Sequence, residues 1–324
     1  MKKRLQSTVK PVPPSPLVSE VAAQSSRIVP PEFSILVEEL EGRFGNALDA
    51  VLLYGSCLRS RNPAEGVVDL YAVVDDYRNA YPRRGLRNLN AWLPPNVFYM
   101  EVHREGMTLR AKYSVISMED FEKGVCDWFH SYIWARFAQP VRVLYARDEP
   151  CRGRMHYLLA AAVARLLREG VATLGTCLVD AEAIWTRSLS LAYAAELRPE
   201  KDTRARQLTH LNLGDFMRLT KCVLPGLSDM LEEQPQGYYR CRVDDGERRR
   251  ALRRWRLRRW QGRVLSVLRL AKAVFTFNNC VDYAIWKIHR HTGVSIPVTP
   301  ALQRHPLLQG SRLLWQLLRR GVLR

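Results

Sequence analysis

A chain of 324 residues, 47% of them hydrophobic, is long enough for one large domain or two ordinary ones and too apolar for global disorder. Lys and Arg number 50 against 32 Asp and Glu, a formal charge of +18 that points to polyanionic partners: nucleic acid, nucleotides or an anionic bilayer. No apolar run approaches the ~18–20 residues that a membrane-spanning helix needs.

Met1 to Arg4 is basic, but no apolar signal core follows, and Pro11, Pro13, Pro14 and Pro16 oppose an amphipathic presequence. Residues 1–30 therefore read as a flexible Pro-rich leader. From Pro30-Pro31 onward, Phe33, Leu36, Val37 and Leu40 predict a helix ended by Gly42 and Gly45. Residues 50–54 predict a buried strand running into Gly55-Ser56. After a polar turn, residues 67–74 predict a second strand that carries Asp69. Residues 97–103 and 109–116 read as a hairpin, 118–136 as a helix and 141–145 as a last strand.

Beyond residue 150 the apolar spacing becomes three and four. Residues 156–170, 178–197 and 207–223 read as helices, with no strand among them. Residues 248–290 form a basic helical tract, and 313–323 a final amphipathic helix. The expected architecture is an α/β domain over 31–150, a helical domain over 151–240 and a basic helical, membrane-proximal region over 241–324. Seven cysteines without a Cys-x-x-Cys spacing speak against a disulfide framework and a zinc site, and suit a reducing cytoplasm.

The chemistry concentrates where a strand runs into Tyr54-Gly55-Ser56 and the next strand brings Asp69 thirteen residues after Ser56. Glycine lets backbone N–H groups approach phosphate oxygens, and a serine hydroxyl adds a further contact. A carboxylate binds Mg²⁺, which neutralises charge on the attacked phosphate and the leaving pyrophosphate. The order strand, Gly-Ser, turn, strand, Asp is similar to that of polymerase-β-like nucleotidyltransferases. The usual acid–apolar–acid pattern has Tyr71 at its third position here, so a second metal carboxylate must come from Asp75, Asp76 or Glu101.

Further segments carry a closer resemblance. Tyr54-Gly55-Ser56, the strand from Asp69 to Asp75, Ala111-Lys112-Tyr113-Ser114-Val115-Ile116 and Asp127-Trp128 with Tyr132 stand in one order. Ala135-Arg136, Gln139-Pro140-Val141, Leu191-Ala192-Tyr193 with Glu196-Leu197-Arg198, and Lys272-Ala273-Val274-Phe275-Thr276 with Tyr283, Lys287 and His289 continue it. In this order the chain resembles the translocator assembly and maintenance family of mitochondrial-type phosphatidate cytidylyltransferases. Cys57 stands where that family has a glycine, and Arg61 where it has a glutamine.

The resemblance implies a cytidylyltransferase that makes CDP-diacylglycerol from CTP and phosphatidate with Mg²⁺, and has no stable nucleic-acid partner. Tyr54, Gly55, Ser56, Arg61, Lys112 and Arg198 would hold the nucleotide, and Asp69 and Lys112 would serve catalysis. Asp69 would bind the metal, and the missing second acid on its strand is shared with the family, which leaves Asp75, Asp76 and Glu101 open as the second carboxylate.

Residues 247–259 hold eight arginines interleaved with Leu252, Trp255 and Leu257, and Trp260 follows. Such a composition suits a helix in the headgroup plane of an anionic membrane. The expected location is cytoplasmic, peripheral on the inner face of the membrane. Another phospholipid, a prenyl phosphate, a protein or RNA is the alternative acceptor, and a non-catalytic membrane-binding protein the alternative class.

Overall fold

The structure, a computed structural model, describes residues 12–60, 66–104, 106–196 and 202–276. Its first helix, α1 (Ser15–Ser25), lies inside the stretch expected to be a flexible leader, and corrects that expectation. Pro16 sits in the first turn, where a missing N–H removes no helical hydrogen bond, so the prolines precede this helix without breaking it. Leu17 and Val21, one turn apart, are buried against later helices and tie the segment down. α2 (Phe33–Phe44) buries Phe33, Leu36, Val37 and Leu40, as their spacing predicts.

β1 (Leu48–Tyr54), β2 (Val68–Val74), β3 (Asn96–Arg104), β4 (Met107–Ser117) and β5 (Val141–Ala146) form a mixed sheet in the order β3-β4-β2-β1-β5. β2 and β4 run parallel, and the other pairings are antiparallel. Three short or medium helices punctuate the strands: α3 (Cys57–Ser60), α4 (Tyr77–Ala80) and α5 (Arg84–Trp92). Alternation sorts the strand residues. Val51, Leu53, Leu70, Ala72 and Val115 pack with α2 and α4 on one face, and Leu52, Tyr54, Tyr71, Val73 and Ile116 fill the other. With both faces covered, β1 and β2 read as the continuous apolar runs that the sequence shows.

Two helices, α6 (Met118–Cys126) and α7 (Trp134–Phe137), replace the single one expected over 118–136. Arg165 donates to the carbonyls of Val125 and Trp128 and so holds the intervening loop. α8 (Glu149–Val171), α9 (Ala181–Ala194), α10 (Asp202–Leu211) and α11 (Leu213–Val223) share one continuous apolar cluster with the second sheet face. The α/β and helical parts are thus joined through a common core. The fold is mixed α/β.

Strands do occur past residue 150, contrary to expectation. β6 (Cys177–Asp180), β7 (Leu231–Glu233) and β8 (Tyr238–Cys241) make a second sheet. Three or four residues each, they are too short for alternation to stand out.

α12 (Asp245–Thr276) then returns to pack against β3. A stripe of Ala251, Trp255, Arg258 and Lys272 faces inward. Gly262 permits the crossing with the end of α9, because a Cβ there would stand 2.3 Å from the Ala195 carbonyl oxygen. Arg258 grips Glu169 through two hydrogen bonds of 2.7 Å. Lys272 donates to the carbonyls of Leu89, Leu93 and Pro95, where β3 begins. Among the described residues no helix is long and apolar enough to cross a membrane. The final amphipathic helix expected over 313–323 lies outside the described residues, as do Tyr283, Lys287 and His289.

Candidate functional site

β1 ends at Tyr54, and the chain turns at Gly55 with φ 87°, a conformation that favours glycine. A Cβ on Gly55 would stand 2.9 Å from Asp69 Oδ2, so the turn closes directly on that carboxylate. Ser56 is exposed in the turn, while Cys57 is buried and opens α3. Sheet register then builds a row: Tyr54 opposite Asp69, Asp69 beside Lys112, and Lys112 opposite Tyr99. Lateral neighbours point to the same face. Lys112 Nζ lies 2.7 Å from Asp69 Oδ1, and the two side chains remain 33% and 24% exposed, open enough for a ligand to reach.

Behind this row is an aromatic and cationic layer. Arg136 of α7 donates to the Tyr54 hydroxyl at 3.2 Å and approaches Glu196 at 3.7 Å. Its guanidinium also lies 4.5 Å from the centre of the Tyr132 ring. Arg269 of α12 lies on the same ring at 3.9 Å and donates to the Pro94 carbonyl. Burial, then the Asp69 charge, raises the Tyr54 phenol above its ordinary value, so it stays protonated. Burial, with the charges of Arg269 and Arg165, pushes nearby His130 down to about 3. That imidazole is neutral at physiological pH.

The structure brings together Tyr54, Gly55, Ser56, Asp69 and Lys112, all expected from the sequence. It separates the three other metal candidates from Asp69, which corrects Asp75 and Glu101 as its partners; Asp76 follows Asp75 and caps α4, accepting from the Arg78 N–H. Asp75 is six residues beyond Asp69, at the opposite end of β2 and about 20 Å away by strand rise. There it neighbours Asp49 and accepts from the Asn79 amide. Glu101 is two strands away, about 12 Å by strand spacing and rise, and it pairs with Arg110 at 3.1 Å. One magnesium ion, with oxygen ligands at ~2.1 Å, bridges neither gap. Arg61 and Arg198 lie outside the described residues.

Among the described residues no group of three His, Cys, Asp or Glu side chains is placed to hold a metal. Magnesium at nucleotide sites commonly takes one or two carboxylates, with water and substrate phosphates completing its shell. Asp69, half-open and flanked by the Gly55 turn, fits the protein's share of such a shell.

Sequence reasoning missed Tyr99 and Arg269. Tyr99 follows only from the β3–β4 register. Arg269 stands alone between Leu268 and Leu270, beyond the arginine-rich run, though a stripe spaced by threes and fours from Ala251 through Trp255 marks the inward side of that helix. No protein-family model matches this chain, and no curated protein is significantly similar to it.

Proposed function

We propose that this chain is a Mg²⁺-dependent nucleotidyltransferase of polymerase-β-like architecture that transfers CMP from CTP to phosphatidate, releasing pyrophosphate. The observation that carries the reading is the Gly55 turn closing on Asp69 with Lys112 at 2.7 Å. A glycine backbone, a carboxylate and an ammonium meet there at one point of a central sheet. The motif order and the resemblance to phosphatidate cytidylyltransferases supply the nucleotide and the acceptor.

In this mechanism the backbone at Gly55 and the Ser56 hydroxyl orient the triphosphate. Lys112 offsets its charge, and Tyr54, held protonated by burial, donates a hydrogen bond. Magnesium, when bound at Asp69, withdraws charge from the reacting phosphates. An ionised phosphate oxygen of phosphatidate attacks the α-phosphorus in line. The new P–O bond forms as the bond to the α,β-bridging oxygen breaks, and pyrophosphate leaves with the electron pair. The nucleophile carries no proton, so no general base is required.

Access to a lipid acceptor is supported by the outward side of α12. Leu257, Trp260, Val264, Val267 and Leu270 are exposed there, beside exposed Arg253, Arg256, Arg259 and Arg263. Apolar groups between arginines suit an anionic surface. Trp255, expected at that interface, instead packs on Trp134 in the core.

The test is transfer from α-labelled CTP to phosphatidate vesicles, to another phospholipid, to a prenyl phosphate, to protein and to RNA, each with and without Mg²⁺. Label in the phosphatidate lane supports the reading, and label only in another lane reassigns the acceptor. A protein that binds no nucleotide with Mg²⁺, yet sediments with vesicles, is a membrane-binding module and not an enzyme.

A further inference from the structure

Positive charge exceeds negative charge in the interior beside Asp69. Lys112 is matched by Asp69, and Arg136 by Glu196 at a loose 3.7 Å. Arg269 forms no ion pair within 4 Å among the described residues; its guanidinium lies half-buried against Tyr132, and the Glu196 charge that faces Arg136 reaches it only at longer range. Arg136 is 13% exposed, and its Nε is buried without a hydrogen-bond partner. His130, held neutral, adds no charge of either sign. Two guanidiniums thus share one carboxylate, and arginine does not relieve excess positive charge by losing its proton. An anion entering beside them would offset that excess.

The donor chemistry narrows that anion. Guanidinium groups present planar forks of N–H donors that match phosphate oxygens. Both guanidiniums lie over the Tyr132 ring, 4.5 and 3.9 Å from its centre, and Arg136 is joined to the Asp69 row through the Tyr54 hydroxyl. The fold fixes Arg269 in place, since Lys272 and Gly262 anchor α12 on either side of it.

We propose that Arg136 and Arg269, meeting on the Tyr132 ring, form a second phosphate-binding subsite, distinct from the Gly55 turn, that takes the phosphomonoester of the acceptor. The subsite itself stands on the charge arrangement, and its assignment to the acceptor rests on the nucleotidyl-transfer reading. With the triphosphate at Gly55 and Asp69, an acceptor phosphate held by these arginines would have its negative charge offset as it approaches the α-phosphorus.

The experiment measures binding of glycerol 3-phosphate, inorganic phosphate and Mg·CTP to the full chain, to Arg269→Gln and to Arg269→Lys, by calorimetry. Thermal melting runs alongside to verify folding. Loss of one charge-assisted fork should weaken glycerol 3-phosphate about tenfold or more in Arg269→Gln, while Mg·CTP changes less than about twofold. Arg269→Lys keeps the charge without the fork and should fall between. In steady state, the KM for phosphatidate should rise and that for CTP should not. Equal weakening of CTP and glycerol 3-phosphate would give the arginines to the triphosphate tail and overturn the assignment. Glycerol 3-phosphate binding that is unchanged in both variants would remove the subsite. If binding depends on Arg269 but no nucleotide is ever transferred, the subsite survives and the enzyme reading falls. Transfer that persists with Arg269-independent phosphate binding has the opposite meaning.

Discussion

Replacing Gly55 with alanine perturbs two things that the structure joins at one residue. A non-glycine residue at φ 87° is strained, and left-handed backbone costs roughly 1–2 kcal/mol. The added Cβ also stands 2.9 Å from Asp69 Oδ2, inside ordinary contact distance. The carboxylate is the movable partner, so it should rotate away from Lys112 and from the metal position, at about 0.5–1.5 kcal/mol for an off-rotamer side chain. Together these lower stability by roughly 1.5–3.5 kcal/mol, or some 2–5 °C in melting temperature for a protein of this size. Activity should suffer more than stability, because a catalytic group displaced by about 1 Å can lose about 100-fold in rate. The assay pairs differential scanning fluorimetry with pyrophosphate release from CTP on phosphatidate vesicles. Gly42→Ala is the control: it lies within α2 with nothing near its Cβ position. It should gain about 0.5–1 kcal/mol from helix propensity. A Gly55→Ala protein that melts and turns over like the parent would refute the close approach and the site built on it.

Glu169→Gln should lower stability by about 3–5 kcal/mol in urea unfolding, because it leaves the Arg258 guanidinium buried without its anion. Burial opposes the Glu169 charge, but hydrogen bonds and charge from Arg258 outweigh it and hold its folded pKa below the ordinary 4.5. The pair therefore contributes fully above about pH 4.5 and fades as pH falls through the folded value, so the variant should show a flatter acid limb in a stability–pH profile. Lys112→Met should raise the KM for CTP about tenfold with little change in melting temperature, since its pair with Asp69 is partly solvated. An unchanged KM would leave the lysine without a role in nucleotide binding. Leu257→Glu, on the exposed side of α12, should weaken sedimentation with anionic vesicles by about tenfold, the worth of one buried leucine. Its melting temperature should stay level. A drop in melting temperature without weaker sedimentation would mean that this face packs on protein.

The core of the candidate site was legible because its signals are local. The apolar runs on either side of Gly55 and the single acid in the second run place turn and carboxylate together whatever the rest of the chain does. Lys112 was legible through the resemblance, not through any local signal. Lys112 meets Asp69 through a parallel pairing of β2 with β4, a register that no local pattern encodes. Asp75 was a candidate for the second metal carboxylate, yet a strand of this length carries it to the opposite end of β2 from Asp69. α1 was hidden by prolines that sit before the helix and in its first turn, while Leu17 and Val21 already showed its spacing. The basic tract misled differently. Its arginines read as a solvated or membrane-facing surface, but Arg258 is buried in the core and Arg269, half-buried, lies against the Tyr132 ring. Hydropathy cannot separate such arginines from their exposed neighbours.

The central claim, nucleotidyl transfer at the Gly55–Asp69 turn, is tested most directly by one comparison. Mg²⁺-dependent transfer of label from α-labelled CTP to phosphatidate is measured for the parent and for Asp69→Asn, with melting temperatures matched. The substitution removes the carboxylate charge and almost no volume. The account predicts robust transfer by the parent, and at least about a 100-fold loss in the variant, the scale on which single electrostatic groups act in catalysis. An Asp69→Asn protein that transfers label at the parental rate with the same magnesium dependence would contradict it.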